Sequence, residues 1–307
     1  MSGEIFYLLI KMPIMSRLQS IYNRKITENV PSNPFHFLFY VLILSWLFWI
    51  LASKVSDFSV LFHYIGGAIP FLMTLLFLFV QNTNAERHDF LLRVIDLKRI
   101  SGHIWLLIIF IVPAGFFISG SLDWLLFGKT PILDHWINIS AKPLGLLLFA
   151  FFILIFGPVP EEITWRGFVL DKLQNRYPWL IANLLLGTFW MFWHLPLFLI
   201  PGSYQHSLGI LTPWFWLFLA ALIPQTILMG WVYNQADCST LSAIIIHFLV
   251  NLLGELVDFS LSGEILLTAY WWIVAIVIIF YSFKTDKPIN PLLESTSLHL
   301  EQPGKEE

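Results

Sequence analysis

Long apolar runs separated by short polar breaks set the pattern of this chain. A membrane-spanning helix needs about 20 mostly apolar residues. Eight segments qualify or nearly do: Pro34–Ser53, Phe58–Val80, His103–Leu122, Pro143–Pro160, Pro178–Ile200, Pro213–Asn234, Thr240–Val257 and Ile265–Phe283. The seventh is the least apolar, because His247, Asn251 and Glu255 interrupt it. Residues 1–33 and 284–307 read as polar flanks, and "ESTSLHLEQPGKEE" at the end reads as a disordered tail. The expected architecture is all-α: a polytopic membrane protein with about eight transmembrane helices, one membrane domain over 34–283 and no internal repeat.

Composition agrees with the pattern. The chain is 57% hydrophobic and 12% charged, whereas soluble domains are nearer a quarter charged, so a soluble enzyme is excluded. Its lone cysteine, Cys238, excludes an internal disulfide framework and a cysteine-based metal cluster. The first residues, "MSGEIFYLLIKMPIM", lack a basic stretch before their short apolar run, so a cleaved signal peptide is not expected. Nothing in the charge balance suggests a nucleic-acid partner; the expected partners are membrane lipid and a membrane-associated substrate.

Basic residues set the orientation. With the N-terminus inside, only Lys54, Lys129 and Lys142 fall outside, and the other fourteen of seventeen Lys and Arg fall inside. Both termini are then cytoplasmic. The loop 123–142, with "LDWLLFGK", reads as a short interfacial helix, and Asp89–Ile100 as an amphipathic segment on the inner surface.

Against this background "GPVPEEITWRGF" stands out, with Glu161, Glu162 and Arg166 closing an apolar run. Ionisable groups at mid-bilayer cost roughly 3 kcal/mol or more each and usually serve function. Glu162 and Arg166 stand at i and i+4 with the acid first, the better order for an ion pair. Glu161 points about 100° away and is left to face a cavity. Pro158 and Pro160 loosen the helix just before the pair. Glu161 lies 16 residues before Tyr177, and His194 lies 16 residues after Pro178. In an antiparallel hairpin the two are level, both ~24 Å from the turn at about 1.5 Å per residue. His247 and Asn251 share one face of the seventh span.

A free carboxylate, two histidines, an asparagine and a paired Glu–Arg suffice for hydrolysis: a base for water, a proton carrier and donors for an oxyanion. Plainer readings stand beside this one. Glu162–Arg166 serves equally as a structural clamp, His194 as a helix-end histidine, and His247–Asn251 as interhelical glue. His36, His63, His88, His103, His135, His206 and His299 sit near interfaces or in loops and are set aside; Glu255 and Asp258 read as solvated.

"EEITWRG", "WMFWHLP" and "HFLVN" together resemble the three motifs of the CPBP family of intramembrane proteases, which includes type II CAAX prenyl endopeptidases and bacteriocin-immunity ("Abi") proteins. Trp190 stands where the family usually has Phe, which enlarges an aromatic wall; Trp165 stands where Phe or Leu is common, and Pro160 is unusual. The resemblance implies eight helices and a site open toward the cytoplasm, in a protein of the cell membrane. In this reading Glu161 and His194 activate water for hydrolysis of a peptide bond, and His247 and Asn251 stabilise the oxyanion. Glu162 and Arg166 support the other four. It also carries a metal-dependent reading, with zinc held by Glu161, His194 and His247; no HExxH pair fixes two ligands on one helix, and direct water activation is the preferred reading. The other function classes are a non-proteolytic scaffold, as in bacteriocin immunity, and a transporter, whose paired broken helices are not seen.

Overall fold

The structure, a computed structural model, describes residues 33–140 and 142–284. The flanks expected at 1–33 and 284–307, with their basic residues and the disordered tail, lie outside it except for Asn33 and Lys284. Among the described residues every regular element is helical, and the only extended pairing is an isolated bridge between Ile132 and Asp258.

In chain order the helices are α1 (Pro34–Lys54), α2 (Ser59–Gln81), α3 (Asn84–Ile95), α4 (Gly102–Phe127), α5 (Asp134–Ser140), α6 (Pro143–Phe156) and α7 (Pro158–Thr164). They continue as α8 (Asp171–Gln174), α9 (Trp179–His194), α10 (Tyr204–Leu208), α11 (Pro213–Gln235), α12 (Thr240–Leu256) and α13 (Leu261–Lys284). Seven stretches are long and apolar enough to cross a membrane, and α12 is a shorter apolar helix. The chain is thus an integral multi-pass membrane protein, and each of the eight segments read from the sequence falls mainly on helix, the fourth on two helices separated at Gly157.

The starts follow from capping. Pro34 and Pro213 occupy first turns, where a missing N–H costs nothing, behind Asn33 and Thr212, whose side chains accept from Phe35 and Phe215. Thr83 and Glu86 form a reciprocal capping box that starts α3.

Three details differ from the sequence reading. "LDWLLF" continues α4 to Phe127, where Gly128 takes a left-handed φ of 68° and stops it; the short helix in that loop is α5. The inner segment is α3 followed by a single 3₁₀ turn, Leu97–Arg99, and its Arg93 is buried rather than on the surface. Arg93 donates to Asp171 of α8 and, at 2.9 Å, to Tyr233 of α11, while Tyr233 donates to Asp171 at 2.7 Å. Finally, the fourth span does not end at Pro160. It breaks at Gly157, restarts at Pro158, passes through a π-helical stretch at Trp165–Leu170 and ends at Gln174.

Burial is graded across the bundle. Helix α6 has no buried residue, and Leu144, Leu147, Leu148 and Phe151 are exposed, as suits a lipid-facing helix. The core gathers where α7, α9, α11 and α12 meet. Gly230 of α11 permits the closest approach: a Cβ there would stand 1.8 Å from Asn183 Oδ1 of α9, so only hydrogen fits.

Candidate active site

Helix α7 starts at Pro158, so Glu161 and Glu162 fall within its first turns. Proline supplies no N–H and a helical φ, which makes the restart after Gly157 cheap. Glu162 and Arg166 are both 0% exposed, and Arg166 Nη1 donates to Glu162 Oε1 at 2.7 Å, the i, i+4 pair expected. The same oxygen accepts from His247 Nδ1 of α12 at 2.8 Å. Glu162 therefore joins the first motif to the third, a link the sequence reading did not contain. Glu162 Oε2 and Arg166 Nε and Nη2 are buried with no hydrogen-bond partner among the described residues. The pair is a single strong bond rather than a two-pronged one.

Among the described residues Glu161 forms no ion pair, yet it is not unheld. Its Oε2 accepts from Trp190 Nε1 at 2.8 Å and from Trp165 Nε1 at 3.4 Å. Its Oε1 has no hydrogen-bond partner among the described residues. Trp190 is the hub of the site. Its ring centroid lies 5.3 Å from those of His194 and His247, and the Arg166 guanidinium carbon lies 5.3 Å over its face. The aromatic wall expected at this position is also a hydrogen-bond donor.

His194 ends α9. Its Nδ1 stands 2.7 Å from the Trp190 carbonyl, which can only accept, so Nδ1 carries the proton and Nε2 is free to take one. The same logic applies to His247: Nδ1–H points at Glu162, and Nε2 is left to act as acceptor, or as donor once doubly protonated. Asn251, one turn further along α12, approaches the break in the fourth span. A Cβ on Gly157 would stand 3.3 Å from Asn251 Nδ2 and 3.2 Å from the Ile153 carbonyl, so the glycine leaves room for the amide.

Glu161, His194, His247 and Asn251 all line one cavity of about 780 Å³, together with Trp190. Glu162 and Arg166 stand behind it. Two polar residues not expected there also line it: Glu255, which is half-buried rather than solvated, and Glu264 at the start of α13. His63, set aside as interfacial, lines it as well. The remaining walls are aromatic and aliphatic, including Tyr64, Phe152, Phe156, Trp193, Phe218 and Trp271. Such a site takes an apolar or amphipathic chain and meets it with a few polar groups at one end.

The three candidate zinc ligands, Glu161, His194 and His247, are not gathered into a metal-holding group as they stand. Among the described residues no group of three or more His, Cys, Asp or Glu side chains is placed to hold a metal ion. The Nδ1 bonds of His194 and His247 leave each Nε2 open, as they also would in a metal-ligating histidine, and Glu161 Oε2 is held by indole N–H groups.

Sequence reasoning missed the indole donors because tryptophan scores as an apolar residue. A signal did exist: Trp165 lies at i+4 from Glu161, on the face the carboxylate occupies.

Residues 143–253 match the family model described as type II CAAX prenyl endopeptidase Rce1-like. The chain is also similar to a CAAX prenyl protease 2 of Methanococcus maripaludis, 28% identical over 261 residues that cover 82% of this chain and 95% of the relative.

Proposed function

We propose that this chain belongs to the Rce1-like type II CAAX prenyl endopeptidase family and is an endopeptidase of the cell membrane that hydrolyses a peptide bond in a membrane-associated peptide or protein, lipid-modified as the family name indicates. The observation that carries this reading is Glu161: a cavity-lining carboxylate with one oxygen fixed by two indoles and the other without a hydrogen-bond partner among the described residues.

In the proposed reaction a water lies between Glu161 Oε1 and His194 Nε2. Its oxygen adds to the carbon of the scissile carbonyl while Glu161, assisted by His194, takes its proton. The π electrons of the carbonyl pass to oxygen. Asn251 Nδ2 and a doubly protonated His247 donate to that oxyanion in a site shielded from bulk water, where each donor is worth about 3 kcal/mol of barrier. Collapse of the tetrahedral intermediate breaks the C–N bond. The amine leaves with the proton first taken from water, and the other product is a carboxylic acid. Glu162 and Arg166 hold His247 in register from behind. The roles need neither metal nor covalent intermediate.

The test is cleavage of a farnesylated, internally quenched peptide by purified full-length protein. Glu161→Gln and His194→Ala are expected to abolish cleavage while folding normally; turnover at the wild-type rate by Glu161→Gln would overturn the assignment.

A further inference from the structure

A side-chain amide that is buried gives up its water and needs a partner in return. Four are buried among the described residues: Gln174, Asn183, Gln225 and Asn234. Asn234 Nδ2 donates to Gln174 Oε1 at 2.8 Å, and Asn183 Nδ2 donates to the Trp179 carbonyl at 2.8 Å. None of these three lines the cavity. Gln225 of α11 does, and it is 8% exposed. Its amide has no hydrogen-bond partner among the described residues, and its polar atoms are not sealed off within the protein. They are left to face the cavity.

Thr268 of α13 repeats the pattern. Buried helical threonines commonly return their hydroxyl to the carbonyl one turn back. Thr74, Thr164 and Thr226 do so at 2.9, 3.0 and 2.8 Å. Thr268 is also 8% exposed and lines the cavity, yet it makes no such bond.

Helix register sets the height of Gln225. Helices α9 and α11 run antiparallel. The His194 and Phe218 ring centroids lie 5.4 Å apart, and a Cβ on Gly187 would stand 3.2 Å from Thr226. Trp190 is midway between the two α9 residues, so it is level with Leu222, midway between the two on α11. Gln225 lies three residues further, about 4.5 Å along the axis. Helical side chains lean back toward the N-terminus of their helix. The amide is thus carried toward the level of Trp190 and of the Glu161 carboxylate that Trp190 holds. Helix α11 packs on α9, α12 and α13, whereas α7, which carries Glu161, packs on α2, α6 and α12. Amide and carboxylate therefore belong to different walls of one cavity.

We infer that Gln225 and Thr268 form a subsite that binds the main chain of the substrate peptide across the cavity from Glu161. A glutamine amide presents an acceptor and donors in one plane, the complement of the C=O and N–H of a peptide group, and the threonine hydroxyl adds a group that donates or accepts. The group they hold is neutral. No Lys or Arg lines the cavity, while Glu255 and Glu264 do, so a terminal carboxylate finds no such cation there. Main-chain contacts position a chain without reading its side chains, and here they set which bond lies against Glu161. The identity of the occupant rests on the endopeptidase reading above.

The test uses full-length protein in detergent. Gln225→Met keeps the reach of the side chain and removes the amide; Thr268→Val keeps the shape and removes the hydroxyl. Neither breaks a bond within the protein, so each should unfold at the wild-type temperature or above. A lower unfolding temperature would make the residue structural and overturn the inference. Binding is read apart from cleavage, in the Glu161→Gln background, by fluorescence anisotropy of a labelled farnesylated peptide. Gln225→Met is expected to raise Kd about three- to tenfold, the scale of a neutral hydrogen bond. In a series of these peptides one main-chain amide at a time is replaced by an ester, which deletes the N–H and weakens the carbonyl as acceptor. At one position the ester should cost severalfold in affinity with Gln225 present and nothing further in Gln225→Met, as a coupled pair requires. Thr268→Val, run through the same series, gives a second and independent reading. Equal ester penalties with and without Gln225 at every position overturn the inference. If wild-type protein leaves the peptide uncleaved but Gln225→Met weakens its binding, the subsite stands and the hydrolase reading alone fails.

Discussion

The indole N–H of Trp190 donates to Glu161 Oε2 at 2.8 Å, from the helix that also carries His194. One residue thus fixes the orientation of the carboxylate, while its own carbonyl fixes the tautomer of the histidine. Trp190→Phe keeps the ring and the backbone and removes only the donor. A hydrogen bond to a charged group contributes about 1.5–3 kcal/mol, and every 1.4 kcal/mol is about tenfold in rate. The expected result is a fall in kcat of about tenfold or more with KM little changed. An unchanged kcat in a variant that folds normally would show that Trp190 acts by packing alone.

Glu162 is bonded to both Arg166 and His247 and has no exposure. Breaking a buried pair from one side leaves an uncompensated charge and typically costs 3–5 kcal/mol. Arg166→Ala is therefore expected to lower folded yield sharply. Glu162→Gln combined with Arg166→Met removes both charges while an amide oxygen still accepts from His247, and yield should recover toward wild type. Size-exclusion profiles and thermal unfolding in detergent report this; a double variant no better than Arg166→Ala would show that the pair stabilises by its shape rather than its charge.

Much of the site was legible in the sequence, and the reason is geometric. Glu162–Arg166 and His247–Asn251 sit on shared helix faces because i, i+4 spacing is a local property. Glu161 and His194 reach one cavity because a hairpin with a short turn keeps counts equal on both arms. What was not legible depends on contacts between distant segments or on backbone irregularity. Arg93 looks like one more interfacial arginine until Asp171, 78 positions away, is brought beneath it. The π stretch at Trp165–Leu170 has no compositional signature, and neither does the bond from His247 to Glu162, which spans 85 positions. Glu255 read as solvated, but the cavity extends to the end of α12 and the start of α13 and so reaches it.

Cys238 offers a probe of the packing around the α11–α12 turn. Burial, and next the negative charge of nearby Asp171, push its thiol up to about 12. At pH 7–9 it is almost wholly the unreactive thiol. Since the folded value lies above the unfolded one, the folded state binds the extra proton at high pH. Its contribution to stability is intact below about pH 8.5 and is lost as pH rises toward 12. Iodoacetamide at pH 8 is expected to modify native protein very slowly and denatured protein quickly, with mass spectrometry as the readout. Fast alkylation of folded protein would show that the region around the α11–α12 turn opens freely.

Gly157 and Asn251 provide a test of the oxyanion arrangement. A methyl group on Gly157 would press on the Ile153 carbonyl at 3.2 Å and on Asn251 Nδ2 at 3.3 Å. Both contacts are tight rather than impossible, so Gly157→Ala should fold and displace the amide by a few tenths of an ångström. If Asn251 donates to the oxyanion, that displacement weakens a bond formed in the transition state, and kcat should fall severalfold while KM holds. Asn251→Ala alone should cost about 10²-fold, the scale for removing one oxyanion donor. The informative measurement is the double variant. With the amide gone, Gly157→Ala has no donor left to displace, so its effect on kcat should vanish, and the two losses should be strongly non-additive. Losses that simply multiply would mean that Gly157 acts through the helix break and that Asn251 is not the group it leaves room for.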